Sequence, residues 1–246
     1  MATVQVHGES ASLEDPVLVE GFPGLGLVGK IATDHLIDAL EMRHYASIHC
    51  EGLPLVGVYR SGSSAVRPPV RVYLSESDDL LALQSDVPVS TGAVHNVAEC
   101  LTAWIEAEDL LPLYLSGYPA DADQRPEMRG VATGDGASIL ETHGIEAPGE
   151  DGVVSGPTGA LLGTAAERDL DAVGLIVESH PQFPDPTAAS VLLEDGIGPI
   201  AAVDVSVTTL LEGAEEIRQQ REQLIQQLQE AQDAESSQAR PLRMYQ

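Results

Sequence analysis

The spacing in this chain most open to a chemical reading is GFPGLGLVGK, residues 21–30. Gly24-x-Gly26-x-x-Gly29 follows an apolar run and opens a helical one, where a dinucleotide-binding turn places its glycines. Glu51 ends the next apolar run at about the distance of a ribose-binding acid. Gly24-x-x-x-x-Gly29-Lys30 also matches a phosphate loop up to its last position, where Ile31 replaces the hydroxyl that would reach magnesium. Glu178, ending the run GLIVES, is a weak substitute for the missing partner carboxylate. The dinucleotide reading lacks its next parallel crossover, because the second run leads into a hairpin. A strand-to-helix turn also uses glycine for positive φ and close packing alone. The turn is therefore expected to be structural first. Gly24, Gly26, Gly29 and Lys30 remain a candidate anion-binding set, since a helix N-terminus offers free amides. A nucleotide- or anion-binding enzyme built on them is the alternative function.

No Gly-x-Ser-x-Gly elbow, His-Glu-x-x-His or Cys-x-x-Cys is present, so no catalysis, metal or cofactor is expected. The seven histidines are dispersed; His44 and His49 flank a strand beside Cys50 and read as surface plus core. ESHPQFPDP, residues 178–186, follows a buried run, the place where α/β proteins bind ligands, though its prolines also suit a rigid turn. Cys50 and Cys100 lie far apart without metal-ligand spacing and read as small buried apolar residues.

The elements that position these groups follow from periodicity. Strands are expected at 16–22, 45–52, 110–119 and 172–179, with a hairpin over 70–86 turning at Ser75–Asp79. Helices are expected at 30–41, 93–108, 158–169 and 186–198. Region 120–150 is rich in Gly, Asp and Pro and reads as loop with a short strand, RGVAT, and a short helix. Strands alternating with helices, plus one hairpin, predict an α/β fold: a three-layer α/β/α sandwich with a mixed sheet over residues 1–206. From 207 to 232 the chain is Glu/Gln-rich and helical. Leu210, Ile217 and Leu224 recur every seven residues, with Ala214, Arg221 and Leu228 four further on. That stripe suits either a short seam between protomers or a surface helix on its own domain. Residues 233–246 read as a flexible tail, with Pro241 blocking any helix.

The net charge is −27, and Lys30 is the only lysine. At molar salt the Debye length is about 3 Å, which screens such self-repulsion, so the composition reads as halophilic. Nucleic acid and anionic membranes, which need a basic face, are excluded as partners. MATVQVHGES lacks a basic region followed by an apolar run, and a cytoplasmic address is expected.

VEGFPGLGLVGKIATDHLI, VESHPQFPDPTAASVLL and the Glu/Gln-rich C-terminal helix together resemble the archaeal branch of the proteasome assembly chaperone family, the branch similar to the second eukaryotic assembly chaperone. The resemblance runs over about 16 to 230 and is loosest at 120–157. It implies a sandwich similar to nucleoside phosphorylases, no established catalysis, homo-oligomers, and binding to α-subunits of the proteasome core particle. It also implies a role for the final residues Met244, Tyr245 and Gln246, which fit a hydrophobic-Tyr-any tripeptide that docks between neighbouring α-subunits. Burying the Met side chain would contribute about 1.5–3 kcal/mol. The Tyr ring packs while its hydroxyl finds a partner, and the terminal carboxylate meets a pocket lysine. Several such tails on one oligomer gain effective concentration.

Overall fold

The computed structural model describes residues 3–7, 11–120 and 125–213. The chain opens with strands β1 (Thr3–Val6) and β2 (Val17–Gly21), a 3-10 turn at Leu25–Leu27, helix α1 (Val28–Ala39) and strand β3 (Arg43–His49). A two-stranded arm follows, β4 (Val58–Tyr59) and β5 (Val66–Arg67), and then the hairpin β6 (Val70–Ser75) and β7 (Leu80–Ser85). Next come α2 (Val94–Ala107), β8 (Leu111–Pro119), β9 (Met128–Thr133), α3 (Gly136–Thr142), α4 (Gly156–Glu167) and β10 (Ala172–Ser179). The last helical run is α5 (Pro186–Val191), a π segment (Leu192–Ile197) and α6 (Gly198–Ala201).

Among the described residues the main sheet has eight strands in the order β1-β3-β6-β7-β2-β8-β10-β9. β7, β2, β8 and β10 run parallel; β1, β6 and β9 run antiparallel to their neighbours. Parallel central strands must be apolar on both faces. β2, β6 and β7 are buried along their whole length. One face carries α1 and α5, whose Leu36, Ala188 and Val191 pack with Val19, Leu113 and Val173 of the sheet. The other carries α2 and α4, whose Leu101, Trp104 and Leu161 pack with Leu18, Leu83 and Tyr114. The expected mixed three-layer sandwich is the fold observed.

The hairpin over 70–86 and the short strand and helix inside 120–150 are present, and the helix expected at 186–198 continues to Ala201. β1 and the arm are additional: β1 is a four-residue edge strand, and the arm's strands have two residues each, too short for a periodicity. One expectation is corrected. Cys50 and Cys100 are buried, but they are not independent apolar residues: they form a disulfide, with Cα atoms 6.3 Å apart. The bond ties the end of β3 to the middle of α2. A separation of 50 residues carries no local signal for it. Residues 208–213 are helical; the rest of the segment read as a C-terminal helix over 207–232, with the heptad stripe from Ala214 onward, and the tail lie outside the described residues.

Candidate functional site

The carboxyl ends of β2, β8 and β10 meet the glycine turn. Gly24 is extended, Gly26 has φ 60°, and Leu27 also takes the left-handed conformation before α1 begins. A Cβ on Gly26 would lie 1.9 Å from Ser179 Oγ, and one on Gly29 would lie 3.2 Å from Leu115 Cβ. Two of the glycines thus let the turn press onto β8 and β10. The 178–186 loop locks it from outside. Asp185 donates its backbone N–H to Gly26 O at 2.9 Å. Its carboxylate accepts from the N–H groups of His180 and Ala188, both at 3.0 Å, capping α5. The two stretches most suggestive in the sequence are therefore halves of one packed corner.

Lys30 does not join them. Its ammonium is 2.8 Å from Asp34 and 3.5 Å from Asp86. Asp86 also receives Arg60, at 2.7 Å, and the buried Arg71, which in turn donates to Gln84, Tyr73 and Pro68. Burial would raise the Asp86 carboxyl, but the hydrogen bond and charge of Arg71, with Lys30 and Arg60, hold it below its usual value. Glu51 is exposed beyond β3, with β6 and β7 between that strand and β2. Glu178 accepts from Tyr118 Oη and from the Glu127 N–H, both at 2.9 Å. His44 stacks against His7 and Tyr73, while His49 is exposed. Among the described residues no group of three or more His, Cys, Asp or Glu side chains could hold a metal ion, and no helix is long and apolar enough to cross a membrane.

Sequence reasoning passed over Glu20, a carboxyl 1% exposed in the central strand. The signal was available, as the one acid inside PVLVEGF. Glu20 accepts from the Phe22 N–H at 2.6 Å and from Thr158 Oγ1 at 3.0 Å, joining β2 to the start of α4. Burial pushes its pKa from 4.5 up to about 7 against these hydrogen bonds. A carboxyl with a raised folded pKa contributes stability that is complete below its unfolded value and is lost as pH rises through the folded one. Glu20→Gln keeps the shape without the charge. The variant should match the wild type near pH 4.5 and, by denaturant unfolding, exceed it by up to about 3 kcal/mol above pH 7. An identical alkaline loss in both proteins would remove Glu20 as its source.

A three-layer α/β sandwich whose glycine corner is packed shut defines a class of protein before any partner is considered. The chain belongs to the PAC2 family, whose profile matches residues 18–225. Its fold is similar to that of Pyrococcus furiosus PbaA, described as an archaeal homolog of proteasome-assembly chaperone, at a TM-score of 0.79 and 24% identity over 96% of each chain. It is also similar to Pyrococcus furiosus PbaB, an archaeal proteasome activator, at 0.75 and 24%, covering 93% of this chain and 98% of that one. In sequence it is 28% identical over 216 residues to an uncharacterized protein of Methanocaldococcus jannaschii, covering 87% of each.

Proposed function

We propose that this chain is a chaperone or adaptor of the proteasome core particle, ATP-independent, homo-oligomeric and working in a salty cytoplasm. The observation that carries the reading is the PAC2 family match, joined to the fold shared with PbaA and PbaB. Its partner is the α-subunit ring, and Met244, Tyr245 and Gln246 are its docking element. These three residues lie outside the described residues, and their role rests on their chemistry: an apolar side chain, an amphipathic ring and a carboxylate suit a pocket between subunits. The packed glycine corner and the pairing of Lys30 with Asp34 and Asp86 favour this reading over an enzyme at the turn.

The test is a pull-down of the matching core particle at high salt, with the full chain and with a chain lacking Met244-Tyr245-Gln246. Binding by the full chain only is expected, with at least a tenfold loss on deletion, as for a docking contact of about 1.4 kcal/mol or more. Equal binding by both would move the contact to the globular body. Binding by neither would overturn the proteasome reading.

A further inference from the structure

Away from the glycine corner, one buried hydroxyl sits between two imidazoles. His7 follows the edge strand β1, and its Nε2 lies 2.8 Å from Ser47 Oγ. His44 Nε2 lies 3.3 Å from the same oxygen, and the two rings meet at a centroid distance of 4.8 Å. The strand register explains the meeting. Between His44 and Ala46 the pairing of β3 with β6 shifts by one residue. A bulge of this kind re-aims side chains, so His44 and Ser47 share a face although an odd number of positions separates them. Their β6 partners, Tyr73 and Arg71, lie on that face too.

The hydrogens of this cluster have a definite order. A carbonyl only accepts, and Ala46 O lies 3.2 Å from His44 Nε2, so that nitrogen carries a hydrogen. It therefore also donates to Ser47 Oγ, whose own hydrogen goes to a bare His7 Nε2. A proton added at His7 Nε2 breaks the order. Two N–H groups would then point at one oxygen, and the hydroxyl hydrogen of the fully buried Ser47 would lose its acceptor. The charge is unwelcome as well. The pair is faced by Arg71 and Tyr73 of β6 and by Arg67 of the arm. Among the described residues no carboxylate bonds to either ring. Asp86, the acid on Arg71, already holds Lys30 and Arg60. Burial first, and then the charges of His7, Arg71 and Arg67, hold the His44 pKa below its usual value against the bond to Ala46 O.

We propose that His7, Ser47 and His44 form an acid-operated latch: as acid protonates the pair, the His7 ring is expelled and β1 leaves the edge of the sheet. β1 is the element that yields. It is four residues long, pairs with β3 alone and stands last in the strand order. Gln5 and Val6 are exposed, so among the described side chains of this segment only Val4, against the core, and His7 are drawn into the body. The His7 N–H, on Tyr45 O at 2.7 Å, is the last rung of the ladder. His44 cannot leave as easily, because β3 is paired on both sides. The sign follows from linkage. A base whose folded pKa is depressed supports the closed state above its ordinary value of 6.5, and that support is lost as pH falls through the folded one. Release uncovers the outer backbone groups of β3, turning a covered strand into an open sheet edge. The inference does not depend on the proteasome reading.

The experiment is hydrogen exchange with mass spectrometry on the full chain, in steps from about pH 7.5 to about pH 5, with protection corrected for the intrinsic effect of pH. On acidification the peptide covering β1 is expected to lose protection about tenfold or more, while peptides from β2 and α2 keep theirs. His7→Gln offers an oxygen acceptor near the position of Nε2 and takes up no charge, so its β1 should stay equally protected throughout. His44→Gln leaves His7 free to take up a proton but removes the ring 4.8 Å away, so opening should move down by about half a pH unit. A wild-type β1 that stays protected in acid would overturn the proposal, as would His7→Gln opening like the wild type. If His7→Gln is already open near neutral pH, the second variant decides: a downward shift sustains the latch, and opening at the wild-type pH overturns it.

Discussion

Asp86→Ala is expected to destabilise the fold by about 3–5 kcal/mol, because it leaves a buried guanidinium without its counter-charge. Arg71 is 1% exposed and cannot turn out to water. Its remaining partners, Gln84, Tyr73 and the Pro68 carbonyl, are neutral. The other two cations contribute less: the Arg60 side chain is 58% exposed, and Lys30 keeps Asp34. Exposed pairs are worth about 0–1 kcal/mol and less in salt, so the buried contact dominates. The sign of the pH effect follows. A carboxyl held below its unfolded pKa of 3.8 contributes stability above that value and loses it as pH falls through the folded one. Urea unfolding of the wild type should therefore show an acid limb below about pH 4 that is smaller in the variant. A loss under about 1 kcal/mol at neutral pH would mean that Gln84 and the carbonyl suffice for Arg71.

Gly26→Ala should be nearly as damaging. The left-handed backbone costs a side-chain-bearing residue about 1–2 kcal/mol, and here the new methyl would also collide with Ser179 Oγ. The clash can be separated from the backbone term. Ser179→Ala removes the nearest atom, although Ser179 Cβ and Val28 Cγ1 would remain 3.1 and 3.2 Å away. The double variant should recover part of the loss, with a coupling of about 1–2 kcal/mol in a double-mutant cycle. Full additivity would show that the corner relaxes around the methyl and that the packing between the glycine turn and β10 is loose.

These two cases also show what a sequence reveals. The sheet and its helices are legible because burial imposes period two or continuous apolar runs on strands and a 3.6-residue stripe on helices. The glycine turn is legible as a turn, since its position between an apolar run and a helix demands backbone freedom. What it packs against is not legible: Ser179 and Asp185 lie more than 150 residues away in the chain, joined to it only by topology. Lys30 fails in the same way. A lysine after a glycine turn suggests a phosphate, and only the fold shows Asp34 and Asp86 already holding it. The arm escapes pattern reading because its strands are shorter than any period, and the exposure of Tyr59 and Val66 is visible only in the fold. Glu20 is the case in which the letter was visible and its weight was not, since the rise in its pKa depends on complete burial.

The disulfide has a further consequence for the arm. Cys50 precedes the arm and Cys100 follows the β6–β7 hairpin, so the bond closes a loop that contains both. A protease that cuts the exposed chain between Leu55 and Arg67 would leave the pieces as one covalent molecule, still carried by the intact sheet. On a gel such a nick would stay invisible until the sample met a reductant.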